Sequence, residues 1–231
     1  MWRDSLARAK VRVVTGFVPI PGHPRSLTEY EALGQRLSDA LGDAPLAVYY
    51  EKIPDLWLTQ FLEKLPYLEP PLTWSKGDNP AKNSLEYHCV QHQKFAWLSR
   101  AANEDQESDT FVWMDYGICS QPGINAENVR SFLRKVRRND FAIPGCWEPA
   151  FPDPRDDYPC WRFCGSLMIV PRADTHRMFQ LIQAITRTYI RAMHKVTWEV
   201  NTLARVEPFL RKVGLRWYSA DHNALQLTRY E

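Results

Sequence analysis

The chain has 231 residues, of which 45% are hydrophobic and 13% aromatic, which excludes a disordered chain and supplies one large core. Its 29 basic and 27 acidic residues give a formal net charge of +2, which excludes the strong whole-molecule attraction that favours nucleic-acid binding. No run reaches the roughly 20 apolar residues of a membrane span, and the start lacks an apolar segment of signal-peptide length. We therefore expect one cytoplasmic domain over residues 1–231, without a transmembrane segment or a nucleic-acid partner.

The first part of the chain alternates strands and helices. VRVVTGFV, residues 11–18, is rich in β-branched residues and ends at a proline-rich turn, which predicts a buried strand. Residues 26–41 open with the helix-start signal S-L-T-E and close at Gly42. A short apolar strand at 45–51 and a helix at 54–65 follow. Alternation of this kind predicts a mostly parallel sheet with helices on its faces.

The later elements continue the pattern. A proline-rich surface loop at 66–80 precedes a helix at 84–103 and the strand TFVWMDYGI. A basic helix at 128–138 and a short strand in FAIPGCW lead to residues 148–159, whose polar, proline-rich composition suits an active-site loop. The predicted elements that remain are a strand in WRFCGSLMIVPR, a helix at 173–194, a helix in TWEVNTLARVEPFLRKVG and a strand in LRWYSADHNALQL. The predicted fold class is therefore α/β in a single domain.

The five cysteines are irregularly spaced. They are Cys89, Cys119, Cys146, Cys160 and Cys164. The set is odd in number and lacks the paired C-x-x-C spacing of a structural zinc site. The pair in CWRFC offers two metal ligands, but no second cysteine pair or spaced histidine pair follows it. We interpret the cysteines as buried free thiols of a reduced chain.

The most informative segment is FVWMDYGI, an apolar strand that ends at Asp115 and is followed by Gly117. Ligands of open α/β sheets lie at the carboxyl ends of strands. An aspartate there can hold a divalent cation against a diphosphate, because hard cations prefer oxygen ligands. The alternative is an aspartate that only accepts backbone hydrogen bonds in a turn.

Two other segments carry polar groups just beyond predicted strands. In WYSADHN, Asp221 and His222 end an aromatic strand and offer ligands to the metal site begun by Asp115; the alternative is a capping aspartate beside an exposed histidine. Arg25 follows the VTGF strand, and its guanidinium can donate two hydrogen bonds to phosphate oxygens. The alternative is that the segment is only a proline-stiffened turn. The sequence contains neither a G-x-G-x-x-G nor a P-loop, so a classical dinucleotide or ATP site is not expected.

Two further segments contain candidate functional residues. Glu199 in TWEVN is flanked by apolar residues, and a carboxylate in such a setting can have a raised pKa and act as a general base. The alternative is a helix glutamate that faces solvent. Gly165 and Ser166 form a small corner before a strand, where a substrate can approach the backbone closely.

In this order, the segments resemble glycosyltransferases of the GT-A fold, especially small bacterial and viral members. The resemblance covers most of the chain and rests on VTGF, QHQKFAWLSRA, VWMDYG, CGSLMIVPR, TWEVN and WYSADHN. It implies a Rossmann-like GT-A domain in which a D-x-D motif binds Mn²⁺ or Mg²⁺ and the donor diphosphate. Here the motif reads Asp115-Tyr116-Gly117, so the second acid is absent. Asp115 would then be the main ligand, with His222 as the first choice of distant partner and Asp221 as the second.

The resemblance also implies roles for the other candidate residues. Nucleoside contacts would come from Thr15, Gly16 and Phe17. Other donor-binding residues would be Arg25, Lys94, Trp113, Met114, Tyr116 and Gly117. Glu199 would be the base in an inverting enzyme or would position the acceptor in a retaining one, beside the substrate-binding residues Gly165, Ser166 and Trp198.

The predicted activity is transfer of a hexose or deoxyhexose from a nucleotide sugar to a glycan or lipid-linked acceptor. UDP-sugars are the first choice of donor and GDP-sugars the second. Two alternatives stay open. A sugar-nucleotide nucleotidyltransferase or hydrolase would use the same carboxylate and cation, and a noncatalytic carbohydrate-binding module is suggested by the nine tryptophans, whose apolar faces stack on sugars.

Overall fold

The computed structural model describes residues 9–66, 69–148 and 158–231, and a six-stranded sheet forms its centre. The strands are β1 (Val11–Phe17), β2 (Leu46–Tyr50), β4 (Thr110–Met114), β5 (Ala142–Gly145), β6 (Leu167–Pro171) and β8 (Arg216–Ser219). Their order across the sheet is β2-β1-β4-β6-β5-β8. β6 is antiparallel to both neighbours, and the other pairs are parallel. The predicted mixed, mostly parallel sheet is confirmed.

Helices cover both faces of this sheet. They are α1 (Leu27–Leu41), α2 (Trp57–Glu63), α3 (Leu85–Glu104), α4 (Ala126–Lys135), α5 (Arg172–Met193), α6 (Glu199–Arg211) and α7 (Leu225–Thr228). One apolar cluster lies between the sheet and α2, α3, α5 and α6, and the other lies between the sheet and α1, α4 and α7. None of the described helices combines the length and the apolar character that a membrane crossing requires.

Three predicted elements differ from the structure. The loop predicted at 66–80 contains β3 (Thr73–Trp74), which pairs in parallel with β7 (Lys195–Val196). The last predicted strand, in residues 215–227, is a strand only over Arg216–Ser219, and α7 begins at Leu225 within its last residues. Most of the proposed active-site loop at 148–159 lies outside the described residues.

The central strand β4 is buried along its whole length, because helices pack on both of its faces. Side chains alternate along a strand. Phe111 and Trp113 therefore enter one apolar cluster, whereas Val112 and Met114 enter the other. This alternation decides which residues near the end of β4 can reach a ligand on a given face.

The strand directions bring the candidate residues to one edge of the sheet. β1, β4, β5 and β8 run the same way, so their carboxyl ends lie at the same edge, where ligands of open α/β sheets bind. β6 runs the opposite way, so Gly165 and Ser166, which precede it, lie at this edge too. Asp115, Cys146 and Asp221 follow the ends of β4, β5 and β8.

Candidate functional site

A cleft of about 470 Å³ opens above β1 and β4 at this edge. Its walls come from the end of β1, the turn that follows it, one face of α3 and the residues after β4. The predicted donor-binding residues that line it are Gly16, Phe17, Arg25, Lys94, Trp113, Asp115, Tyr116 and Gly117. The structure therefore gathers most of the predicted donor site in one cavity.

Aromatic rings form one wall of the cleft. The Phe17 ring lies 4.4 Å from the Tyr30 ring and 5.6 Å from that of Tyr116, between centroids, and the planes of Phe17 and Tyr116 are 29° apart. A side chain at Gly16 would collide with the Trp97 indole, so glycine is required for this close approach. Such a wall presents flat apolar faces to a planar ligand.

Cationic groups line the mouth of the same cleft. Arg25 and Lys82 both line it, and the Arg25 guanidinium lies 6.0 Å from the centre of the Tyr30 ring. Burial, reinforced by the charges of Arg25 and Lys82, lowers the pKa of His23, which lies beside them. The mouth is therefore suited to an anionic ligand.

Lys94 lies at the base of the cleft with only 2% of its side chain exposed. Its ammonium donates to Gln91 Oε1 at 2.9 Å, to the Gly165 carbonyl at 2.9 Å and to Glu199 Oε1 at 3.1 Å. Burial alone would lower the pKa of Lys94, but the carboxylates of Asp115 and Glu199 outweigh it and raise the pKa. Lys94 is therefore a fixed positive charge.

Asp115 lies between this charge and the open cleft. Its Oδ1 is 3.5 Å from Lys94 Nζ and accepts a hydrogen bond of 2.7 Å from the Trp113 indole. Its backbone N–H donates to the Ser166 carbonyl, which fixes the end of β4 against the start of β6. The side chain is 35% exposed, so the carboxylate can contact a ligand in the cleft.

Glu199 differs from both sequence interpretations, because it neither faces solvent nor has a raised pKa. The residue begins α6 and is 6% exposed. Burial would raise its pKa, but the Lys94 charge reverses the effect and the pKa is lowered. A side chain at Gly165 would bring a carbon within 2.6 Å of Glu199 Oε1, so this corner leaves space for the ion pair rather than for a substrate.

The three predicted metal ligands, Asp115, Asp221 and His222, do not form one group in the structure, which differs from the expected site. Among the described residues, Asp115 belongs to no group of three or more potential metal ligands, and His222 groups with Cys146 and Cys164. The reason is the strand order, in which β6 and β5 separate β4 from β8. β4 and β8 are three strand spacings apart, and at about 4.8 Å each this is a distance of roughly 14 Å between the two strands.

Other predicted contacts are also absent from the cleft lining, and strand alternation explains two of them. Thr15 is fully buried, and Met114 packs in the cluster on the opposite face from Trp113. Ser166 donates to Gln226 Oε1, and Trp198 is buried against the rings of Tyr87 and His88. These side chains support the site from behind and do not line it.

On the face of α3 that lines the cleft, the sequence predicted Lys94 but not Tyr87, Gln91 or Trp97. Tyr87, Gln91, Lys94 and Trp97 line it together, at spacings of four, three and three residues. That spacing places side chains on one helix face. The spacing of these four residues can be read in YHCVQHQKFAW. Only the position of this helix face opposite the end of β4 shows that it lines a ligand site and is not simply part of the core.

Comparison with known proteins is informative for the fold. No protein-family model and no curated protein matches the sequence. A solved structure with similarity is described as a glycosyltransferase involved in the glycosylation of the major capsid of PBCV-1, with a TM-score of 0.50 and 10% identity, over 91% of this chain and 81% of that one. The chain has a GT-A-like fold.

A second solved structure is a 4-diphosphocytidyl-2C-methyl-D-erythritol synthase from Anaerococcus prevotii DSM 20548. It is 12% identical, with a TM-score of 0.40, over 91% of this chain and 89% of that one. The similarity to the first structure, at 10% identity, concerns the fold alone.

Proposed function

We propose that this protein is a glycosyltransferase that transfers a hexose or deoxyhexose from a nucleotide sugar to a glycan or lipid-linked acceptor. UDP-sugars are the preferred donors and GDP-sugars the second choice. The observation that carries the proposal is the partly exposed Asp115 carboxylate, held beside the buried Lys94 charge at the end of β4. The fold shared with a viral capsid glycosyltransferase supports it.

The cleft offers separate surfaces for the parts of such a donor. Phe17 and Tyr116 present stacked rings for a base. Arg25 and Lys82 supply positive charge for the phosphates. Preorganised cations of this kind stabilise negative charge that develops on a departing nucleoside diphosphate, while the walls hold the sugar in line with its acceptor.

A divalent cation of the kind implied by the GT-A resemblance fits at Asp115, with fewer protein ligands than a complete D-x-D motif would supply. The cleft supplies one carboxylate, which suffices for Mg²⁺ or Mn²⁺ when substrate phosphates and waters provide the other ligands. Bound there, the cation would neutralise charge on the leaving diphosphate. Gly117 occupies the position of the second acid of a D-x-D motif. The positive charges of Arg25 and Lys94 therefore contribute more to neutralising the diphosphate.

Glu199 has a different role in this proposal from the one expected for a base. Its lowered pKa keeps it ionised, and it is absent from the cleft lining, whereas its partner Lys94 is part of that lining. We assign it the task of holding Lys94 in place, which in turn fixes Asp115.

A carbohydrate-binding module is disfavoured by the placement of the tryptophans. Of the eight tryptophans that the structure describes, four are buried and four are partly buried, so none of them presents a fully exposed face on which a sugar from solution could stack. The nucleotidyltransferase or hydrolase alternative is separated from the proposal by the products of the reaction.

The test combines nucleotide binding with turnover. At a UDP concentration of 100 times Kd, binding stabilises the folded state by about 2.7 kcal/mol, which corresponds to a rise in Tm of about 5–10 °C for a chain of this size. Incubation of UDP-glucose with and without sugar acceptors should then release UDP only with an acceptor. Free sugar phosphate would instead favour the nucleotidyltransferase or hydrolase.

Asp115→Asn is the decisive variant, with Asp43→Asn in an exposed turn outside the cleft as its matched control. We expect the Asp115 variant to stay folded and to lose roughly 100-fold or more in turnover, whereas the control keeps the wild-type rate. Near-normal turnover in the Asp115 variant would remove this carboxylate from the mechanism.

A further inference from the structure

Three potential metal ligands converge on the other half of the sheet edge, away from the cleft. Cys146 follows β5, Cys164 lies just before β6, and His222 follows β8. The two sulfurs and one ring nitrogen all lie within 4.8 Å of one another. Within residues 9–66, 69–148 and 158–231, this is the one group of three or more His, Cys, Asp or Glu side chains with that geometry.

The distances within the group suit a tetrahedral ion. Cys146 Sγ lies 3.5 Å from Cys164 Sγ and 3.9 Å from His222 Nδ1. In a tetrahedral zinc site with bonds of about 2.3 Å to sulfur and about 2.05 Å to nitrogen, two sulfurs lie about 3.8 Å apart and a sulfur and a nitrogen about 3.6 Å. Small rotations of the side chains would therefore complete the site.

A carboxylate oxygen borders the same group. Asp221 Oδ1 lies 3.5 Å from Cys146 Sγ and 3.5 Å from His222 Nδ1. It also accepts the His222 backbone N–H at 2.6 Å, which fixes the turn after β8. Asp221 lies just outside the group of three, and a rotation of its side chain would bring the carboxylate to the fourth position.

The backbone around the ligands is held by bonds between neighbouring segments. The Cys146 N–H donates to the Trp161 carbonyl at 2.9 Å, and the Cys164 N–H donates to the Pro144 carbonyl at 2.7 Å. Trp161 also packs edge-on against the His222 ring, with centroids 4.6 Å apart. A metal site with ligands fixed in this way loses little conformational entropy on binding.

We propose that Cys146, Cys164 and His222 bind one structural Zn²⁺ ion, with Asp221 in the fourth position. Two sulfurs and an imidazole select zinc over the hard cations Mn²⁺ and Mg²⁺, which prefer oxygen ligands. The ion ties the ends of β5 and β8 to the start of β6. The site is separate from the cleft, so this inference does not depend on the glycosyltransferase proposal.

The first test is metal analysis of the full chain, purified in the presence of a reductant and without chelator. We expect one zinc per chain by elemental analysis, and removal of the zinc by a strong chelator should lower Tm. Cobalt added to the metal-free protein should produce a thiolate-to-cobalt charge-transfer band in the near ultraviolet. Folded wild-type protein that takes up neither zinc nor cobalt would overturn the proposal.

The second test compares single-ligand variants with a matched cysteine. Cys146→Ser, Cys164→Ser and His222→Gln should each weaken zinc affinity by more than tenfold. Cys160→Ser alters a buried cysteine in the same CWRFC segment that lies outside the group, and it should retain wild-type zinc. Equal loss of zinc in Cys160→Ser would contradict the assignment. If a variant fails to fold, the cobalt spectrum of the wild type still decides.

Discussion

At the scale of single residues, the unusual feature is a lysine that is almost fully buried. Lys94 is tolerated there because three acceptors satisfy its ammonium: Gln91, the Gly165 carbonyl and Glu199. Removing one partner of such a pair leaves the other charge buried without compensation, which costs far more than the loss of a surface pair. The base of the cleft therefore depends on both charges being present.

This coupling predicts a pH-dependent cost for Glu199→Gln. The pKa of Glu199 is lowered from 4.5 in the folded state, so its ionised form contributes stability above the unfolded pKa, and the contribution is lost as the pH falls through the folded pKa. We expect the variant to be less stable by about 3–5 kcal/mol at pH 7, and the difference from wild type to shrink below pH 4.5.

Urea denaturation across this pH range measures the effect. Glu31→Gln changes an exposed carboxylate on α1 and should alter the free energy of unfolding by no more than about 0.5 kcal/mol at any pH. A Glu199→Gln cost that does not change with pH would show that Glu199 is not ionised in the fold.

At the scale of elements, α1 shows how a local signal in the sequence positions part of the cleft. Ser26 is its N-cap, and the Ser26 and Glu29 side chains satisfy each other's backbone N–H groups as a capping box. Arg25 immediately precedes this cap. The start of α1 therefore fixes the direction in which the chain leaves the cationic mouth.

We predict that Ser26→Ala lowers the free energy of unfolding by about 1 kcal/mol, because a backbone N–H at the helix start loses its acceptor. Thermal unfolding followed by circular dichroism would show the change. Ser38→Ala, on the exposed side of the same helix, is the control and should be neutral or slightly stabilising, since alanine has the highest helix propensity. Equal effects of the two substitutions would contradict the role of the cap.

At the scale of the whole molecule, both apolar clusters share the same strands. Val13 and Val14 are consecutive residues of β1 that enter opposite clusters, and Val112 and Trp113 do the same in β4. Neither cluster can lose its packing without exposing the sheet that supports the other. We therefore propose that the chain folds as one cooperative unit.

Calorimetry tests this prediction directly. We expect a single unfolding peak with an enthalpy of about 160 kcal/mol near 60 °C, at about 0.7 kcal/mol per residue, and agreement with the van't Hoff enthalpy. Two resolved peaks that share this enthalpy would divide the chain into separate domains.

The local sequence determined the elements and one anchor of the site. Periodicity and turn residues were enough to predict β1, α1, α3, β4 and the position of Asp115 at a strand end, because these depend on neighbours along the chain. The resemblance to the GT-A fold predicted the arrangement of these elements in a GT-A-like domain, and the structure confirms it.

The tertiary structure decided which of these residues meet. The pKa of Glu199 is set by Lys94, which lies 105 positions away in the sequence, and no local pattern records that pairing. In the same way, the strand order separates His222 from Asp115 and places it beside Cys146 and Cys164. Strand order follows from packing between distant segments, so the sequence identified the potential ligands while the fold chose their partners.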